Sequence, residues 1–156
     1  MRLLFSVLLL ATVVTRANAY IGETLENTKA HVDPASITGD VQVNGQHRLL
    51  WKRADHIYAN VTFTDLHGAS LEQFSKWDHT DLSDEEIDLL LHEEPAPDKW
   101  REIQSPKGKK YVNVETNDVA TVFQIEVDGG RLTHFLDISR TPEHQHAQHA
   151  DSSDMD

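Results

Sequence analysis

The chain contains no cysteine. Disulfides, iron–sulfur clusters, thiolate zinc sites and thiol nucleophiles are therefore excluded, and the fold must hold by packing alone. A bacterial lipid anchor is excluded on the same ground, because it needs a cysteine at the first mature residue. Basic residues are also scarce, with 14 Lys and Arg against 26 Asp and Glu and a formal charge of −12. Phosphate backbones need a basic face, so nucleic acid is not an expected partner. Beyond residue 19 no apolar run approaches the roughly 20 residues of a membrane-spanning helix, so no membrane span is expected. The chain has no Gly-x-Ser-x-Gly elbow, Gly-x-Gly-x-x-Gly loop, Walker loop, His-Glu-x-x-His pair or Asp-x-Asp-x-Asp-Gly calcium loop. No cofactor and no catalytic residue is indicated.

What is present begins at the N-terminus. Arg2 precedes an apolar stretch from Leu3 to Val14, and Ala17-Asn18-Ala19 forms the small-x-small end that a signal peptidase cuts. The expectation is a signal peptide over residues 1–19, cleavage after Ala19, and a mature chain starting at Tyr20 that is periplasmic or extracellular. Loss of Arg2 and Arg16 with that segment deepens the charge from −12 to −14. Residues 20–140 suit one domain with a real core. The acidic segment 141–156 has Met155 as its only large apolar residue and is expected to be disordered.

Within the domain, Ile21 to Val32 reads as a short helix with Gly22 as N-cap, ended by Asp33-Pro34. Val41 to Val43 and Arg48 to Lys52 read as strands. His56 to Thr64 alternates, with Ile57, Ala59, Val61 and Phe63 on one face, and Ala69 to Trp77 returns as its hairpin partner. Ser83 and Glu86 have capping-box spacing, and Leu82 and Ile87 have staple spacing, so a helix is expected over Asp84 to Glu93. A loop around Trp100 and a turn at Ser105 to Gly108 lead to strands at Lys109 to Glu115, Val119 to Val127 and Arg131 to Ile138. Asp128-Gly129-Gly130 joins the last two. Trp51 and Trp100 read as core residues.

A shift of 62 residues lays Leu25 on Ile87, Ile57 on Val119, Val61 on Phe123 and Phe63 on Ile125. The element order therefore allows two tandem α-β-β-β units, over residues 21–78 and 82–140. The fold class is α+β, an antiparallel sheet with two short helices on one face. This order, carried by Gly22-Glu23-Thr24-Leu25, the Trp51 strand and the Ile57 to Phe74 hairpin, resembles the beta-lactamase-inhibitor-protein fold. Each unit is also similar to the α-β-β-β repeat of small outer-membrane assembly lipoproteins. Tyr20 to Leu25, and Leu82 to Ile87 leading into Trp100, resemble small exported bacterial proteins of uncharacterised role, a resemblance that implies no activity.

Three readings of function stay open. A sheet covered by helices on one side leaves the other side for binding. Its outward positions, His56, Tyr58, Asn60, Thr62 and Thr64 with Gln73 or Trp77, suit a protein or an envelope component, and Tyr58 and Trp77 are the candidate partner-binding residues. The second reading is metal binding through His144, His146 and His149, which stand beside Glu143 and Asp151 and offer nitrogen and oxygen ligands for zinc, copper or nickel. The third is a small hydrolase with no identified site. The acidic helix Asp84 to Glu93 reads as a solvated face, and the sequon Asn60-Val61-Thr62 lies inside a strand.

Overall fold

A computed structural model of the chain describes residues 19–64, 68–106, 108–127 and 131–140. Helix α1 (Leu25–His31) is followed by strands β1 (Ile37–Val43), β2 (Gln46–Lys52), β3 (Ile57–Thr64) and β4 (Gly68–Lys76). Helix α2 (Asp84–Glu93) is followed by β5 (Trp100–Ile103), β6 (Lys110–Asn113), β7 (Asp118–Val127) and β8 (Arg131–Arg140). All eight strands join one antiparallel sheet in the order β1-β2-β3-β4-β8-β7-β6-β5. The two hairpin systems meet where β4 pairs with β8, with Glu72 opposite Ile138 and Phe74 opposite Leu136.

Local chemistry explains α2. The Ser83 hydroxyl accepts from the Glu86 amide, and Glu86 accepts from the Ser83 amide at 2.7 Å, the reciprocal arrangement its spacing predicts. Leu82 and Ile87 are both buried, as a staple requires. Helix α1 differs from expectation. It starts at Leu25, and Thr24, not Gly22, supplies the cap by accepting from the Asn27 amide at 3.2 Å. Gly22 has φ +92° and its N–H is committed to the Ala69 carbonyl at 2.7 Å, so residues 20–23 run as a clamp along the start of β4. Tertiary pairing here overrides the helical spacing.

One face of the sheet carries the core. Leu49, Trp51, Ile57, Ala59, Val61, Phe74, Ala120, Leu136 and Ile138 are buried there with Ile87, Leu90 and Leu91 of α2, and Leu25 of α1 packs against the same cluster. Strand β3 buries the four residues expected of it. Thr62, expected outward, is buried as well, beside the irregular register between Thr62 and Phe63. In β7 the expectation fails: Ala120 and Val122 face the core, whereas Val119 and Phe123 are only half-buried and Ile125 is 40 % exposed. Both faces of β7 carry apolar side chains, so alternation alone could not choose between them. The pairings Ala120–Ile138 and Val122–Leu136 choose for it. Trp51 and Trp100 are buried as expected, but Trp100 opens strand β5 where a loop was expected. Residues 101–103 show no apolar alternation, and β5 exists by pairing with β6. The turn 128–130, the N-terminal residues 1–18 and the tail 141–156 with His144, His146 and His149 lie outside the described residues.

Candidate functional site on the helix-free face of the sheet

Cross-strand register defines the face away from the helices. Leu50, Asn60, Gln73, Asp137, Thr121, Lys110 and Ile103 form one continuous row across it. By the same pairing Val41 (opposite Arg48) and Val43 (opposite Gln46) lie on this face at the β1 edge. Of the seven exposed large apolar side chains among the described residues, four, Val41, Val43, Ile103 and Ile125, stand here.

A shallow cavity of about 450 Å³ opens on this face, lined by Thr38, Leu50, Tyr58, Ser75, Ile125 and Phe135, with Asn60 and Gln73 on its floor. The Asn60 amide donates to Gln73 Oε1 at 3.1 Å, and the Gln73 amide donates to Asp137 Oδ1 at 3.0 Å. Burial pushes the Asp137 carboxyl up, partly opposed by the Gln73 hydrogen bond. Phe135 stacks on Phe123 with ring centroids 5.9 Å apart, which keeps the apolar wall in place.

Tyr58 and Trp77, the residues singled out from sequence, are brought together. Their ring centroids lie 5.9 Å apart, and the His56 ring meets Trp77 edge-on at 5.2 Å. Lys52 Nζ sits 5.1 Å from the Trp77 ring and 5.6 Å from the Tyr58 ring, a pair of contacts each worth about 0.5–1 kcal/mol near solvent. The backbone makes this corner: His56 holds φ +65°, and its carbonyl accepts from the Trp77 amide at 3.1 Å. Tyr58 joins the corner to the cavity. Sequence reading missed Lys52, Ile125, Phe135 and Asp137 as members of this face. For Ile125 the obstacle is the β7 phase, since the 62-residue shift lays it on inward-facing Phe63.

A second cavity, of about 600 Å³, lies beside the start of α2 and contains Lys109 and His134. His134 Nδ1 lies 2.8 Å from Asp81, and its Nε2 lies 2.9 Å from the Gln124 amide nitrogen. With Nδ1–H donating to Asp81, Nε2 accepts from Gln124. Both ring nitrogens are thereby engaged by side chains of this chain. Asp81 also accepts from the His134 amide at 3.0 Å, so the pair anchors the loop before α2 to β8. Among the described residues no group of three or more potential metal ligands is found, and no helix is long and apolar enough to cross a membrane. Comparison with family models, curated proteins and solved structures returns no match to this chain.

Proposed function

We propose that this chain is an exported, non-catalytic domain that binds a protein or an envelope component through the helix-free face of its sheet. The observation that carries this reading is the cavity on that face, where exposed Ile125 stands with Leu50, Tyr58 and Phe135 beside the hydrogen-bonded Asn60 and Gln73 amides, while Val41, Val43 and Ile103 add exposed apolar side chains at the two sheet edges. Solvated sheets normally present polar side chains outward, and apolar surface rimmed by polar groups marks an interaction site. The mixture of aromatic, apolar and amide groups suits a specific, partly wet interface.

We also read the two halves as tandem copies. Supporting this is the symmetry of the strand order about its centre, with one helix and four strands on either side. The register is compatible with it. Laying Glu72 on Leu136 and Phe74 on Ile138 maps each of the two central pairs onto the other. Ala59 and Val61 then correspond to Ala120 and Val122, because Ala59 faces Phe74 as Ala120 faces Ile138, and Val61 faces Glu72 as Val122 faces Leu136.

The test is affinity capture from the producer's own envelope and medium, with Tyr58→Ala combined with Ile125→Asp as the probe and Trp77→Ala alongside. Both variants should stay folded, with melting lowered only by the lost Lys52 and ring contacts, and the first should weaken capture at least about tenfold, the scale of a modest interface hot spot. An unaltered complex removes this face from consideration, and loss of folding shows that these side chains are structural.

A further inference from the structure

We infer that the buried carboxyl pair Glu94–Glu72 is a binding site for an ammonium group, and that its occupant is the α-amine of Tyr20 in the processed chain. The inference rests on the proposed cleavage after Ala19. Glu94, at the end of α2, is 5 % exposed, and its Oε2 accepts from the Ile21 amide at 3.3 Å. Arg140 holds the same residue from the other side, donating to the Ile21 carbonyl at 3.2 Å. Successive backbone nitrogens are at most about 3.7 Å apart, so the Tyr20 nitrogen stands within about 7 Å of the Glu94 carboxylate. Ala19 is 2 % exposed and Tyr20 40 %, so cleavage between them places the new amine at the boundary of the core.

A second observation points to a missing cation. Glu72, in the middle of β4, is fully buried, and among the described residues no cation stands within hydrogen-bond distance of its carboxyl oxygens, whose hydrogen bond is to the Glu94 carboxyl. It lies close enough to Glu94 for each to affect the other's protonation. Two buried carboxyls that share a hydrogen bond are costly to ionise together, and a bonded cation removes much of that cost.

The neighbouring cations are committed elsewhere. Arg53 is held by Asp55 at 2.7 Å and by Glu93 at 2.9 Å. Arg140 binds Asp118 at 3.1 Å, and His31 lies 3.2 Å from Glu23. Around the pair stand four further carboxylates, Glu23, Asp55, Glu93 and Asp118, against Arg53, Arg140 and His31. In the unprocessed chain burial pushes the Glu94 carboxyl up to about 7, against the hydrogen bonds with Glu72 and from the Ile21 amide. An ammonium beside it favours the ionised form, and the carboxylate in turn holds the proton on the amine.

The test compares the protein beginning with a free Tyr20 amine with the same protein acetylated at that amine, each with Glu94 and with Glu94→Gln. At pH 7 the free-amine form should melt at least about 4 °C higher, a shift corresponding to roughly 1 kcal/mol in a domain of this size. Glu94→Gln should abolish the difference. In the unmutated protein the α-amine, followed by its labelling rate against pH, should titrate at least one unit above its ordinary value of about 7.7–8.0. Equal melting of the free and acetylated forms, or an ordinary amine titration, overturns the pairing even if Glu94→Gln fails to fold. N-terminal sequencing of the natural protein tests the cleavage separately: a start other than Tyr20 overturns the processing reading, whatever the amine does in the prepared chain.

Discussion

Replacing Gly68 with alanine places a methyl group 2.4 Å from the Glu23 carbonyl oxygen and 2.7 Å from that of Gly22. Both atoms are backbone, so no side chain can swing aside. Gly68 also holds φ +65°, a conformation that costs an L-residue about 1 kcal/mol. Relief requires the 20–23 segment to lift from β4, which breaks the Gly22 N–H to Ala69 and Ala69 N–H to Glu23 hydrogen bonds, each 2.7 Å long. At about 1 kcal/mol per bond, Gly68→Ala should cost on the order of 3 kcal/mol. Gly45→Ala is the control. Its φ is +75°, but an added Cβ meets nothing within 4 Å, so it should show the backbone cost of about 1 kcal/mol alone. Urea unfolding of both variants measures the difference, expected at about 2 kcal/mol. Equal losses in the two variants would show that the clamp is not held as described, and a Gly68→Ala protein as stable as its parent would refute the steric argument outright.

Two further outcomes are expected. Burial above all, then the charge and hydrogen bond of Glu94 and the charge of Glu23, holds the Glu72 carboxyl well above its ordinary value, against the nearby Arg53. Its contribution to stability is therefore fully present below the unfolded value of about 4.3 and is lost as pH rises toward the folded value. With the Tyr20 amine acetylated, Glu72→Gln should match the parent near pH 4 and exceed it in urea midpoint at pH 8, and a parallel pH profile in the two proteins contradicts the assignment. Phe63→Ala, at a core position, should cost about 3–4 kcal/mol, whereas Ile125→Ala on the helix-free face should cost about 1 kcal/mol or less by thermal unfolding. Equal costs would place Ile125 in the core.

The parts legible without coordinates are those whose signals are local. Ser83 and Glu86 stand three residues apart whatever the rest of the chain does, and their reciprocal hydrogen bonds form within one helical turn. The alternation of Ile57, Ala59, Val61 and Phe63 against polar neighbours leaves β3 one sensible way to face a core, and it puts Tyr58 on the outward side. Trp77 is harder, because it follows the last residue of β4, yet its ring returns to Tyr58 through the His56 corner.

Other features depend on partners distant in sequence. Which side of β7 is buried follows from pairing with β8, because Ala120 and Val122 compete with Val119 and Phe123 for the core and hydrophobicity does not separate them. Strand β5 has no alternation of its own and forms by joining β6 at the sheet edge. Gly22 is drawn out of the expected helix by a hydrogen bond to Ala69, and Glu94 meets Ile21 across 73 positions of sequence. Composition and short-range spacing determined the α+β class, the α2 boundaries, the outward position of Tyr58 and the absence of thiol chemistry. Only the tertiary structure decided the strand order, the inward face of β7 and the burial of Glu72, because these depend on the free energy of contacts between segments that no local pattern brings together.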